Sequence, residues 1–241
     1  MIMKYIIESD HVSFLDNYFF EKPKLLPEAD PATFKPIGEW FGADCRHVYF
    51  LYNLVSGADP ESFVYLGGYN CQWARDRECG YFFWPTRAAR RWDVLESRSP
   101  ASFRIVPDCG FCEYAQDNEN VFFFGKKIRA ADANSFHIMT MEKIEDGSTV
   151  RSHLFSKDVV NVYFEGRPIK GVDHKLFKVL RAQATSNTEY GTDGSTAVFK
   201  DHARTKMVTI PHADLPVSIQ EYFSSHYGQV LPDPGASFRS S

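Results

Sequence analysis

The feature that most constrains the fold is an internal repeat, in which two landmarks return along the chain in fixed order. The first is a turn of the form Asp-Pro-x-Ser/Thr-Phe. It stands at Asp30-Pro31-Ala32-Thr33-Phe34 and at Asp59-Pro60-Glu61-Ser62-Phe63, with relics ending at Phe103, Phe136 and Phe177. The second is an aspartate followed four residues later by a β-branched or small residue and then aromatics. It runs from Asp44 to Val48-Tyr49-Phe50, from Asp76 to Gly80-Tyr81-Phe82, from Asp117 to Val121-Phe122-Phe123 and from Asp158 to Val162-Tyr163-Phe164. A weaker copy joins Asp193 to Ala197-Val198-Phe199. The residues ahead of each aspartate are also alike: Phe41-Gly42-Ala43, Trp73-Ala74-Arg75, Tyr114-Ala115-Gln116, Phe155-Ser156-Lys157 and Tyr190-Gly191-Thr192.

Residue types say what one unit does. Asp-Pro sets a turn, and the Asp side chain accepts bonds from the backbone two residues on. The Phe opens a short strand, an aromatic leads a second strand up to the aspartate, and the β-branched and aromatic run leaves as a third. Gly125 and Gly166 then permit a positive φ. The chain is expected to be all-β: tandem antiparallel hairpin or meander repeats of two or three short strands, in an open stack or a propeller-like ring. About five units follow a degenerate N-terminal one, giving a repeat domain over 1–214 with units near 1–29, 30–58, 59–98, 99–131, 132–172 and 173–214. A capping helix is expected within 215–231, from Pro216 to Tyr227, with Val217, Ile219, Tyr222 and Phe223 as its apolar face, Gly228 as C-cap, and a tail at 232–241. Lys4 to Ile7 reads as a strand, and Tyr18-Phe19-Phe20 as the last strand of the degenerate unit.

The aspartate turn coupled to an aromatic strand resembles the bacterial DKNYY family over roughly residues 10–200. Asp117-Asn118-Glu119-Asn120-Val121-Phe122-Phe123 and Asp158 through Phe164 carry the resemblance best, as a pattern rather than a literal Lys-Asn-Tyr-Tyr run. It implies a non-catalytic binding protein, and some members resemble immunity proteins encoded beside secreted bacterial toxins. The expected partner is therefore a cognate protein toxin. A glycan- or small-molecule-binding protein of the cell envelope is the alternative.

Aromatic content of 15%, with 21 Phe and 12 Tyr, suits cross-strand pairing in a β protein. A net charge of −4 argues against a general nucleic-acid binder. No apolar run approaches the roughly 18 residues a membrane helix needs. The opening Met1-Ile2-Met3-Lys4-Tyr5-Ile6-Ile7-Glu8 turns acidic too soon for a signal peptide. Five cysteines, an odd number, point to a reducing compartment, so a cytoplasmic location is expected.

No catalytic, cofactor or metal set is expected. Cys109-Gly110-Phe111-Cys112 has the spacing of half a zinc site, but Cys71 and Cys79 are too widely spaced to complete it, and a redox CxxC would open a helix. The recurrent aspartates sit in equivalent turns of successive units, so they read as turn formers rather than as converging acids or calcium ligands. GxSxG, HExxH and phosphate-loop glycine patterns are missing. Candidate partner contacts fall where the repeat is broken. Trp84, Arg87, Arg90, Arg91 and Trp92 combine residue types rich in interface hot spots. Glu142, Glu145 and Asp146 lie in an inserted polar segment, Met139 to Val150, with Asp146-Gly147 as its tight turn.

Overall fold

The computed structural model describes residues 3–16, 22–26, 28–69, 71–85, 90–95, 97, 99–107, 109, 113–181, 189–201 and 206–227. The architecture is the all-β repeat the landmarks imply, with a short C-terminal helix. A three-stranded sheet comprises β1 (Met3–Ile7), β2 (Val12–Asp16) and β3 (Lys24–Leu25). Three four-stranded meanders follow. The first is β4 (Lys35–Ile37), β5 (Phe41–Ala43), β6 (Val48–Phe50) and β7 (Asn53–Leu54). The second is β8 (Val64–Gly67), β9 (Gln72–Arg75), β10 (Gly80–Pro85) and β11 (Arg90–Leu95). The third is β12 (Arg104–Ile105), β13 (Tyr114–Gln116), β14 (Val121–Phe123) and β15 (Lys126–Lys127).

The last two units do not stay separate. Strands β16 (His137–Lys143), β17 (Thr149–Lys157), β18 (Val162–Phe164), β19 (Arg167–Pro168), β20 (Lys178–Arg181), β21 (Glu189–Thr192), β22 (Thr196–Asp201) and β23 (Lys206–Pro211) form one eight-stranded sheet. The chain divides into two compact units, one holding β1–β15 and the other β16–β23 with helix α1 (Val217–Tyr227).

Each complete repeat has four strands, where the sequence suggested two or three. The fourth was hidden because in three repeats it is two residues long: β7, β15 and β19. Two of these close on tight turns whose central pair both take positive φ, Phe124 (44°) with Gly125 (75°) and Glu165 (46°) with Gly166 (71°). That geometry matches the twist of a hairpin, and Gly adopts it without steric cost. The proposed strand at Tyr18-Phe19-Phe20 lies outside the described residues.

The landmarks set the register identically in all five copies. The residue after the motif Phe pairs with the residue before the buried aspartate: Lys35 with Ala43, Val64 with Arg75, Arg104 with Gln116, His137 with Lys157 and Lys178 with Thr192. The residue before the aspartate pairs on its other side with the residue four beyond it, as in Ala43 with Val48 and Thr192 with Ala197. A slip of one residue would exchange the two faces, so a repeated register is a repeated core.

The five motif Phe side chains, Phe34, Phe63, Phe103, Phe136 and Phe177, are all buried. Two residues before each aspartate stands a small residue: Gly42, Ala74, Ala115, Ser156 or Gly191. The reason is steric. A Cβ on Gly42 would come within 2.8 Å of Phe34 Cε1, and one on Gly191 within 2.6 Å of both Phe155 and Phe177. In the first compact unit, aromatic rings link successive sheets: Tyr5 to Phe34 at 5.0 Å, Phe41 to Phe83 at 4.7 Å and Trp73 to Phe103 at 6.1 Å.

The inserted segment Met139 to Val150 is a hairpin that lengthens β16 and β17 to seven and nine residues. Its added part, Met141 to Lys143, pairs in parallel with Val179 to Arg181 of β20. One insertion thus fuses two meanders. The sheet curls: Glu189 on β21 accepts from Ser152 Oγ and the His153 N–H on β17, although β16 and β20 lie between those strands in the sheet. Alternation along β20 buries Val179 in an aromatic and aliphatic cluster on one face and Leu180 beneath α1 on the other. Helix α1 buries Ile219 and Phe223 as expected, but Val217 is 65% exposed, because the helix meets the sheet through Ile219 and Phe223, beside Leu215 from the segment before it. Gly228 lies outside the described residues.

Gly191→Ala should lower stability by about 1–3 kcal/mol through overpacking against Phe155 and Phe177. Phe177→Leu should recover part of that loss in the double variant. Urea unfolding measures both, and additive effects would show that the ring does not set the size of residue 191.

Candidate functional site

The recurrent aspartates are the first candidates to place. Asp44, Asp76, Asp117, Asp158 and Asp193 are each buried. In every copy Oδ1 accepts the N–H groups two and three residues on, at 2.6–2.9 Å. In four copies Oδ2 accepts the N–H of the aspartate that opens the same unit: Asp30 to Asp44 at 2.9 Å, Asp59 to Asp76 at 3.0 Å, Asp132 to Asp158 at 3.0 Å and Asp173 to Asp193 at 2.7 Å. The first turn reciprocates. Its Ser or Thr hydroxyl, from Thr33, Ser62, Ser102 or Ser135, accepts the N–H of the residue after the buried aspartate at 3.0–3.2 Å.

Three copies add a tyrosine five residues on. Tyr49, Tyr81 and Tyr163 donate their hydroxyls to Oδ2 at 3.3, 2.6 and 2.6 Å. This partner was not recognised in the sequence, although the three tyrosines occupy one position of the repeat. Burial pushes the carboxyls of Asp44, Asp117, Asp158 and Asp193 up. The backbone and side-chain donors outweigh it and leave each below its ordinary value of 3.8. Burial, and then the neighbouring carboxylate, push Tyr49, Tyr81 and Tyr163 well up. These pairs resemble acid–base dyads in composition, yet their oxygens are occupied inside the turns.

The residues proposed as partner contacts divide in two. Trp84, on β10, is half-buried and packs its ring 4.9 Å from Phe124 and 5.9 Å from Phe82, so part of its surface serves the core. Arg90, Arg91 and Trp92 lie on β11, which is an edge of its sheet, opposite Pro85, Trp84 and Phe83. Their side chains, and all of Arg87, lie outside the described residues.

Glu142 is half-buried and engaged within the protein. It accepts Tyr222 Oη at 2.7 Å and also accepts Tyr227 Oη, tying β16 to α1. The bond from Tyr227 is the main cause holding its carboxyl below its ordinary value, against burial. Burial and Glu142 push Tyr222 up to about 12. Glu145 and Asp146 are exposed at the hairpin tip, where Asp146 Oδ1 accepts the Ser148 N–H at 2.9 Å and Gly147 takes φ +67°. The expected tight turn is therefore present, and these two carboxylates are the outward-facing members of the acidic set.

Cys71 and Cys109 are buried and take part in no disulfide, and Cys79 is half-buried, while Cys112 lies outside the described residues. Among the described residues, the cluster with metal-ligand geometry is Glu8, Asp10 and His11, at the surface turn between β1 and β2.

Tandem four-strand units, each latched by a buried aspartate, define a β-meander repeat protein. The chain belongs to the DKNYY family, which it matches over residues 18–202. No curated protein and no solved structure matches it. No helix among the described residues is long and apolar enough to cross a membrane.

Asp158→Asn should cost about 3 kcal/mol, since an amide donor would face the Asp132 N–H and the Tyr163 hydroxyl, whereas Tyr163→Phe should cost only about 1 kcal/mol. Chemical denaturation compares them, and equal midpoints for Asp158→Asn and wild type would refute the latch.

The depressed carboxyls also give a pH signature. Between their folded values and 3.8 the folded state binds fewer protons than the unfolded state, so stability rises with pH there. The denaturant midpoint should be flat from neutral pH to about 5 and fall steeply below about 4. A midpoint unchanged between pH 5 and 3 would contradict the linkage.

Proposed function

We propose that this chain is a non-catalytic protein-binding module, and that it acts as an immunity protein by covering the active or substrate-binding site of a cognate secreted toxin. The observation that supports it is where the polar groups go. The aspartate carboxylates of all five units, and the hydroxyls of Thr33, Ser62, Ser102 and Ser135, are spent inside the turns, while segments that differ between units lie at a sheet edge and a hairpin tip. The edge strand β11 and the β16–β17 hairpin tip are two such segments. Stacked repeats of this kind offer extended surfaces to macromolecules. Exposed Glu145 and Asp146 would steer a basic partner and set specificity more than affinity. The action would be steric and would take place in the cytoplasm, where the producing cell meets its own toxin.

Deleting the gene from a strain that also encodes the toxin should leave it open to killing by its siblings, and purified toxin should co-elute with this chain. Glu145→Lys with Asp146→Lys should slow association several-fold and reduce its salt dependence. Undiminished fitness of the deletion strain, with no complex by size exclusion, would remove the proposal.

A further inference from the structure

The inserted hairpin and the C-terminal helix meet at a point that the repeat does not supply. The hairpin tip, residues 144–148, is tied by local backbone bonds. Gly147 N–H donates to Lys143 C=O, Lys143 N–H to Ser148 C=O and Ser148 N–H to Asp146 Oδ1, each at 2.9 Å. Ile144 N–H reaches the sheet and donates to Arg181 C=O at the end of β20, at 3.0 Å. From Glu145 to Ser148 the tip is exposed. An exposed turn held by local bonds belongs to the low-stability end of a structure.

Helix α1 holds the same tip through side chains. Ile144 packs against the cluster that contains Leu180, Ile219 and Phe223. Glu142, two residues before it, accepts the hydroxyls of Tyr222, at 2.7 Å, and Tyr227. The Tyr222 hydroxyl also stands beside the turn itself, since a Cβ on Gly147 would lie 4.0 Å from Tyr222 Oη. Burial, then Glu142 and then the nearby charge of Asp146 raise that hydroxyl. Both rings are fixed in turn. Tyr222 stacks on His226 at 3.9 Å, and Tyr227 packs 5.3 Å from Phe223 with Lys178 Nζ 5.1 Å from its centroid. Hydrogen bonds to a carboxylate are stronger than neutral ones. Covering the sheet does not require them, because Ile219 and Phe223 already do so at 0% and 2% exposure. Residues five apart lie about 140° apart around a helix axis, so two hydroxyls meeting on one carboxylate are not a by-product of packing one helix face.

We propose that α1 is a brace that fixes the β16–β17 hairpin tip in one shape through Tyr222, Tyr227 and Glu142, so that Glu145 and Asp146 are presented already ordered to a protein partner. Ordering an interface loop in advance removes an entropic cost from binding. The brace itself stands on the contacts between α1 and the hairpin, and its consequence for a partner rests on the immunity reading. Tyr222, Tyr227 and Glu142 are positioning residues, because they act on the partner only through the tip.

Backbone 15N relaxation of the full chain tests the brace in Tyr222→Phe/Tyr227→Phe, which keeps both rings. Order parameters at residues 144–148 should fall from a rigid value of about 0.85 to below about 0.6, while those of Phe155 and Val179 stay rigid. Glu142→Gln keeps the side-chain shape and should loosen the tip in the same direction, so it decides the matter if the double variant does not fold. Phe177→Leu weakens the sheet from its other face and should leave the tip rigid. An unchanged tip in the tyrosine and Glu142 variants, or an equal loosening in Phe177→Leu, would overturn the brace. Complementing the deletion strain with Tyr222→Phe/Tyr227→Phe, at wild-type abundance, should give weaker protection from siblings. Full protection by a variant whose tip has loosened would overturn the role of the brace in binding. A deletion strain without a phenotype removes the immunity reading, and the relaxation measurement still decides the brace.

Discussion

The structure depends on a buried carboxylate held by backbone and side-chain hydrogen-bond donors. Removing a charge from water is expensive unless hydrogen bonds replace the water. Here the replacement is local. A carboxylate offers about four acceptor directions, and each of the five aspartates meets at least four donors. For Asp44 they are the N–H groups of Asp30, Arg46 and His47 and the Tyr49 hydroxyl. Two of those donors belong to the turn the aspartate itself forms, one to the turn that opens the unit, and one to the strand that leaves it. A single side chain thus holds three pieces of backbone that are otherwise joined only by short strands.

The copies that lose a donor show that the count matters more than the identity. Asp117 lacks both the opening aspartate and the tyrosine, since Ser99 and Phe122 occupy those positions. The Ser97 hydroxyl and the Asn120 side-chain amide donate instead, at 2.7 and 3.2 Å. Asp193 faces Val198 where three copies have Tyr, and the Ser195 hydroxyl supplies a fourth donor at 2.8 Å. Repeats that look degenerate in sequence are therefore intact as hydrogen-bonded objects. An unsatisfied buried carboxylate would cost more than any of these side chains contributes, so divergence is confined to exchanges that restore a donor.

Much of this was legible, because turn residues and β-branched or aromatic runs carry their own geometry. The aspartate turns, the positive-φ glycines, the hairpin at Asp146-Gly147 and the C-terminal helix all follow from residue types at fixed offsets. The two-residue strands β7, β15 and β19 did not, since a pair such as Lys126-Lys127 has no periodicity to read. The pattern of Gly42, Ala74, Ala115, Ser156 and Gly191 was visible but its cause was not, because the ring above each lies in a different strand. The internal bonds of Glu142 were hidden for a related reason. Its polar segment reads as a solvated loop until Tyr222 and Tyr227, some eighty residues on, reach it.

The inserted hairpin shows how one departure from a repeat reorganises everything after it. In the earlier meanders the strand after the motif Phe ends within two to four residues. In β16 it continues, and the extra backbone N–H and C=O groups at Met141 to Lys143 need partners. They find β20 of the following unit, in parallel, which forces the two meanders into one sheet. A sheet buried on both faces then needs a cover on the second, and α1 supplies it through Ile219 and Phe223, beside Leu215 from the segment before it. A register shift between Ile138 and Thr140, where residues 152–155 of β17 stand opposite Met139 alone, reconciles the repeat's register at His137 with the new register beyond Thr140.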